Sequence, residues 1–238
     1  ALCIVTDSTG STPRQKGAKM IVYPNGNIYG TIGGGNVEKK VIADAVQTLG
    51  SKKPITIKYD LVKDLNMCCG GSMHIYIEPI MNKRKLYIFG AGHTGYALAK
   101  LALNFDFDII VIDDRKEYID ELEIVGINKI LGDFNEVLPT LSFDENSFIT
   151  ILTYSHTIDR KILAYCFKHP HAYLGMIGSL RKVEMTNKLF IETGIGSEEE
   201  LETVDMPMGL NIGAEGPDEI AISIMAKLIA IKNKVIIS

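Results

Sequence analysis

Leu86-Tyr87-Ile88-Phe89-Gly90-Ala91-Gly92-His93-Thr94-Gly95-Tyr96 decides the fold. Four residues suited to a short buried strand run into three glycines, and an apolar helix is predicted over Tyr96 to Leu103. Strand, glycine turn and helix in that order leave free backbone amides at a helix N-terminus. The next strand, Asp108 to Ile112, ends at Asp113-Asp114-Arg115, so Asp113 stands 18 positions after Gly95. In that context the Gly-x-Gly-x-x-Gly pattern reads as a dinucleotide fingerprint. Gly90, Gly92 and Gly95 would admit a pyrophosphate, and Asp113 is the candidate acceptor for a ribose hydroxyl. The same pattern also suits a scaffold that holds no nucleotide, or another phosphate, because a fold does not dictate its ligand.

Downstream, Lys129 to Leu131, Phe148 to Thr153 and Ala172 to Met176 read as further strands, with helices at Asp159 to Phe167 and Leu180 to Glu192. Strand and helix alternation predicts a doubly wound, Rossmann-like parallel sheet of order 3-2-1-4-5. A last helix starts at Pro217 and runs to about Lys232. Upstream, the polar link Met81 to Lys85 divides the chain into residues 1–81 and 85–238. The first segment reads as a small α+β domain. It has a strand at Leu2 to Thr6 and a hairpin turning at Asn25-Gly26. A helix follows over Asn36 to Leu49, striped by Val37, Val41, Ala45 and Leu49 and stopped at Gly50, and two strands follow, Ile55 to Leu61 and Ser72 to Ile80.

Composition bounds the function classes. Of 238 residues, 46% are hydrophobic and 23% charged, which excludes a disordered or fibrous chain. A net charge of −4 argues against a nucleic-acid or anionic-membrane partner. No uncharged apolar run reaches the ~18–20 residues of a membrane span. Four cysteines, two of them adjacent, are no disulfide framework, and the expected compartment is the reducing cytoplasm. The chain opens inside a strand, so native residues are expected before Ala1.

Five groups of residues carry chemistry. Cys68-Cys69-Gly70-Gly71 is the sharpest: thiolates ligate soft metals, and the glycines admit a bulky ligand. Adjacent thiols do not suit one tetrahedral ion, so a metal borne by a cofactor, with Cys69 or else Cys68 as the candidate ligand, or a sulfur-transfer role fits better. One buried and one incidental cysteine is the plainer alternative, and Cys3 and Cys166 are expected in the core. Gly33-Gly34-Gly35 before a helix is a candidate anion site, with charge added by Arg14, Lys16 and Lys19, or else a tight turn. His93 sits inside the glycine turn, and His156, three residues before Asp159, follows a neighbouring strand. Both histidines would open into one crevice with Asp159 orienting His156, or would merely brace turns. Ser179 in Gly178-Ser179-Leu180-Arg181-Lys182 would cap a helix, with or without an anion.

Together these segments resemble the XdhC/CoxI family of molybdenum-cofactor maturation proteins. The matching residues are Gly10 to Arg14, Gly17 to Met20, Gly30 to Gly35 with Glu38, and Cys69 to Gly71 before Glu78-Pro79. They continue through Gly90 to His93, Asp113 to Arg115, His156 with Asp159, Gly175 to Ser179, and Pro207 to Ala214 leading to Ala221. Tyr154-Ser155 departs from the two-histidine run more usual in the family, and the family would place a helix before Ala1. The resemblance implies a chaperone that carries molybdenum-molybdopterin between its domains, aids exchange of an oxo for a sulfido ligand, and delivers the cofactor to a molybdenum hydroxylase. A cysteine desulfurase is the implied sulfur source. Such proteins often carry the label xanthine dehydrogenase. Four cysteines cannot ligate the two [2Fe–2S] clusters of that enzyme, which need eight thiolates.

The competing reading is an NAD(P)-dependent oxidoreductase built on the Gly90 fingerprint, with His156 as acid and base. A third is nucleotidyl transfer to molybdopterin. The terminal helix, apolar on nearly all sides from Ile220 to Ile231, predicts a homodimer.

Overall fold

The computed structural model describes residues 1–63, 70–80 and 83–235, and the chain divides into two compact units, Ala1–Asn82 and Lys83–Ser238.

The first unit runs β1 (Leu2–Thr9), β2 (Lys19–Val22), β3 (Ile28–Gly30), α1 (Gly35–Ser51), β4 (Ile55–Asp60) and β5 (Ser72–Glu78). Its antiparallel sheet has the order β3-β2-β1-β5-β4. Alternate residues of β1 and β5, namely Cys3, Val5, Met73, Ile75 and Ile77, are buried, and Val37, Val41 and Ala45 of α1 join the same core. Asp44 is buried with them because Tyr59 and Lys40 each donate to it at 2.7 Å. The helix does not stop at Gly50. It ends at Lys52, which takes the left-handed conformation with φ 56 and donates its N–H to the Thr48 carbonyl. Pro54 disfavours helical backbone at Lys53, so the reversal falls just ahead of it and no glycine is needed.

The second unit runs β6 (Arg84–Phe89), α2 (His93–Ala102), β7 (Phe107–Asp113), α3 (Lys116–Asp120), β8 (Asn128–Leu131), α4 (Phe134–Val137), β9 (Phe148–Ile151), α5 (His156–Cys166), β10 (Tyr173–Met176), α6 (Leu180–Glu192), α7 (Glu198–Leu201) and α8 (Gly216–Lys232). Its five strands are all parallel in the order β10-β9-β6-β7-β8. Numbered within the unit that is 3-2-1-4-5, the doubly wound order. Leu86 and Ile88 face one core with α2 and α8, while Tyr87 and Phe89 face another with α4, α5 and α6. Cys3 and Cys166 are fully buried, as their apolar surroundings predict. Most of the apolar circumference of α8 is covered inside this unit. Ala221, Ile224, Met225 and Leu228 are buried, Ile220, Ile229 and Ile231 are partly buried, and Ile222 stays 52% exposed.

Candidate functional site

In the first unit, three glycine loops close on one another. A Cβ on Gly71 would sit 2.5 Å from the Thr9 carbonyl oxygen and 2.6 Å from that of Ser11. One on Gly10 would lie 3.0 Å from the Gly71 Cα, and one on Gly33 would lie 2.7 Å from Pro13. The loop that begins at Gly10 is therefore packed against Gly71 at backbone distance and, through the Pro13 ring, against Gly33, which is why Gly10, Gly33 and Gly71 lack side chains. Cys68 and Cys69, which precede Gly70, lie outside the described residues. Arg14 and Lys19 are exposed, and neither side chain has an ion pair among the described residues.

The triple-glycine turn differs from the expectation. Part of its demand for an anion is met from within the chain, by Glu38. Oε2 of Glu38 accepts from the Thr31 hydroxyl at 2.6 Å and from the backbone N–H groups of Ile32 at 3.2 Å and Gly34 at 3.1 Å. Burial would raise the Glu38 pKa, but the hydrogen bonds from Thr31 and the turn outweigh it and hold it below the ordinary value.

In the second unit, the loops after β6, β7, β9 and β10 lie at the carboxyl edge of the parallel sheet, where doubly wound folds bind ligands. Gly95 fits because its helix rides on the turn: a Cβ there would be 1.9 Å from the Gly90 carbonyl oxygen. Gly90, at φ 114, would place a Cβ 2.3 Å from the Leu152 carbonyl oxygen. Gly92 meets only an Arg115 guanidinium nitrogen, at 3.9 Å, so the space above it is open. His93 and His156 open α2 and α5 after the adjacent strands β6 and β9.

Asp113 is not the available ribose acceptor that its position suggests. It is 0% exposed, and both its oxygens are engaged. Oδ2 accepts from the Ala91 N–H at 2.6 Å and the Arg115 Nη2 at 2.8 Å, and Oδ1 from the Arg115 N–H at 2.9 Å and Nε at 2.8 Å. Burial raises its pKa, but Arg115 and Ala91 more than compensate and keep the carboxyl below its usual range. Asp114 contrasts with it. Its Oδ2 accepts from the Tyr154 hydroxyl at 2.9 Å, while its buried Oδ1 has no hydrogen-bond partner. The Arg115 guanidinium lies 3.8 Å from the Tyr118 ring centroid and 4.3 Å from that of Tyr154.

Asp159 does not orient His156 as expected. The Nδ1-to-Oδ2 separation is 3.9 Å, and Asp159 Oδ1 instead accepts from Thr153 N–H at 2.9 Å and its hydroxyl at 2.7 Å. Nδ1 of His156 is buried without a partner, and Nε2 lies 3.4 Å from the Thr186 hydroxyl. Burial, then Arg160 and Lys182, push the His156 pKa down and so favour the neutral ring. Ser179 stands at the N-cap of α6, but its hydroxyl makes no capping hydrogen bond. Among the described residues no cluster of three His, Cys, Asp or Glu side chains could hold a metal ion. Asp114, Arg115 and Tyr154 gain no role from the sequence pattern alone. The signal that finds them is the order β9-β6-β7, which brings the loops after β7 and β9 to either side of the glycine turn.

Residues 86–228, more than half of the chain, match the family described as the XdhC Rossmann domain, and residues 1–60 match the XdhC and CoxI family. The chain belongs to the XdhC and CoxI family. This XdhC/CoxI chain is 35% identical over 239 residues to the "Uncharacterized protein YqeB" of Escherichia coli (strain K12), covering 98% of the chain and 43% of that protein. It is 29% identical over 163 residues to a Bacillus subtilis (strain 168) protein described as a probable xanthine dehydrogenase subunit, covering 68% of the chain and 47% of that protein. The chain thus spans less than half the length of these two relatives. A crystal structure of a xanthine dehydrogenase from Bacillus halodurans shares the fold, with a TM-score of 0.55 at 21% identity over 98% of this chain and 91% of that one. No helix among the described residues is long and apolar enough to cross a membrane.

Proposed function

We propose that this XdhC/CoxI protein is an accessory factor that carries the molybdenum-molybdopterin cofactor, assists its sulfuration, and hands it to a xanthine dehydrogenase-like hydroxylase. The observation that carries the reading is the packing of the Gly10-to-Arg14 loop against both Gly33 and Gly71, the latter close to the Cys68-Cys69 pair in sequence. The cofactor is cargo here, a pterin dithiolene with a phosphate tail. Arg14 and Lys19, exposed and without ion pairs among the described residues, suit the phosphate. Cys69, or Cys68 beside it, would meet the metal as a thiolate or relay sulfur from a cysteine desulfurase. The hydroxylase as partner class is supported by the family and by the xanthine dehydrogenase description of the Bacillus subtilis relative.

The test is to load the purified protein with molybdopterin and measure its transfer to a hydroxylase apoprotein. Cys69→Ser is expected to lose retention or transfer while its circular dichroism and melting temperature stay those of the wild type. Equal transfer by mutant and wild type, with Cys68→Ser equally active, would remove the basis for the proposal.

A further inference from the structure

Along α8 one straight stripe stays open. Ile224 and Leu228 are fully buried in the core that this helix shares with α2. At about 100° per residue, Glu219, Ile222, Ala230 and Asn233 all fall within about 40° of Ala226, on the opposite side. Glu219, Ile222 and Asn233 are exposed, and the two alanines are only partly buried. Positions at these spacings form one seam, which a single long partner can cover from end to end. The seam is symmetrical about Ala226. Four places to either side stand Ile222 and Ala230, a large side chain and a small one. Seven places to either side stand Glu219 and Asn233, an acceptor and an amide donor, with the exposed Lys234 next in the chain.

We infer that α8 docks antiparallel on α8 of a second copy of this chain, about a twofold axis that passes beside Ala226. A twofold contact must be complementary to itself, since the same patch supplies both sides. Antiparallel pairing about Ala226 sets Ile222 of each copy over Ala230 of the other. It also sets Glu219 of each copy against Asn233 and Lys234 of the other. The alanines at the crossing let the two axes approach to about 8 Å, the close end of helix packing. Glu219 holds the Glu215 N–H on Oε2 at 2.7 Å, and neither Glu219 nor Lys234 has an ion pair among the described residues, so both charges are available across the axis.

The charges also choose the direction. The first turn of α8 carries Asp218 and Glu219, and its last turn carries Lys232. Parallel pairing would lay Glu219 on Glu219 and Ile222 on Ile222, and would point both helix dipoles the same way. Antiparallel pairing brings the acidic end of each helix to the basic end of the other. A partner selected for apolarity alone would have no use for a carboxylate and an ammonium at opposite ends of the seam. The inference does not depend on the proposed cofactor delivery, and neither its success nor its failure bears on Cys69.

Two measurements on the full chain test it. Ala226→Cys, oxidised with copper phenanthroline, is expected to give a covalent dimer whose peptide mass spectrum carries a link from position 226 to position 226. Asn233→Cys is expected to give no link to itself, because its two copies stand roughly 21 Å apart in the antiparallel pair. Sedimentation equilibrium then reads the charges. Lys234→Glu sets a like charge against Glu219 of the other copy, twice per dimer, and is expected to weaken association about fivefold. Raising NaCl from about 0.1 M to about 0.5 M screens attraction and repulsion alike, so it should loosen the wild-type dimer and tighten that of Lys234→Glu. Four results would each overturn the inference. They are a single-chain mass that persists to about 100 μM, no 226–226 link in folded Ala226→Cys, a 233–233 link that forms as readily as the 226–226 link, and the same salt response in wild type and Lys234→Glu.

Discussion

Glu38 and Asp113 solve the same problem in two unrelated units. A tight glycine turn leaves backbone N–H groups on one side, and a carboxylate from the chain itself accepts from them, Asp113 from Ala91 and Glu38 from Ile32 and Gly34. For Glu38 one oxygen takes a hydroxyl and two amides. Hydrogen bonds to a charged group contribute about 1.5–3 kcal/mol net. Glu38→Gln is therefore expected to lower the stability of the first unit by about 1–3 kcal/mol, measured by urea unfolding at pH 7. The pH dependence follows from the depressed pKa. The unfolded chain takes up a proton at the ordinary glutamate value, while the folded chain resists until lower pH. The stabilisation is complete above the unfolded value and is lost as pH falls through the folded one, so the gap between wild type and Glu38→Gln should close on acidification. A gap that stayed constant from about pH 7 to about pH 3 would show that charge is not what the turn needs. These internal anions explain why part of the site was not legible. Glycine turns beside acidic residues read equally well as ligand sites or as self-capped turns, and only the distance from carboxylate to amide decides. That Asp113 ends its strand beside the glycine turn was legible, but not that Arg115, two residues on, would fold back and occupy it.

At the scale of elements, the junction of β6 and α2 is held by how closely a helix can approach a strand. The three glycines differ sharply in what they tolerate. Gly95 leaves 1.9 Å between a new Cβ and the Gly90 carbonyl oxygen, whereas Gly92 leaves 3.9 Å to a movable guanidinium. Gly95→Ala is expected to cost more than about 4 kcal/mol or prevent folding of the second unit, because neither backbone can retreat. Gly92→Ala, at φ −64, should remain within about 1 kcal/mol of wild type. Thermal unfolding separates the two; equal melting temperatures would mean the junction gives way more readily than close backbone packing allows. This junction and the strand order were readable from sequence because the strand–glycine–helix pattern and the parallel alternation constrain each other. The end of α1 was not. Gly50 looks like a stop, yet nothing lies near its missing Cβ, and the helix continues until Pro54 forces the chain out of line.

For the molecule as a whole, α8 poses the question of assembly. Its own unit covers most of its apolar residues but leaves Ile222 exposed. Tyr23 and Tyr29 of the first unit are exposed as well, at the edge of the antiparallel sheet beside β3. We propose a homodimer that buries α8's uncovered face. Light scattering at micromolar concentration is expected to give twice the chain mass, and Ile222→Glu to shift it toward the monomer. A single-chain mass that holds on concentrating the sample would rule the dimer out. The thiol inventory has a practical use at the same scale. Of four cysteines, Cys3 and Cys166 are fully buried, and burial pushes their pKa values up to about 11 and about 12. Thiolates are the reactive form, so at neutral pH both should be silent toward iodoacetamide and maleimides. Any adduct that native protein forms can then be assigned to residues 68 and 69 without mutating the other two. An alkylation time course read by mass spectrometry, with and without bound cofactor, would serve as a footprint of that pair on the otherwise unaltered chain.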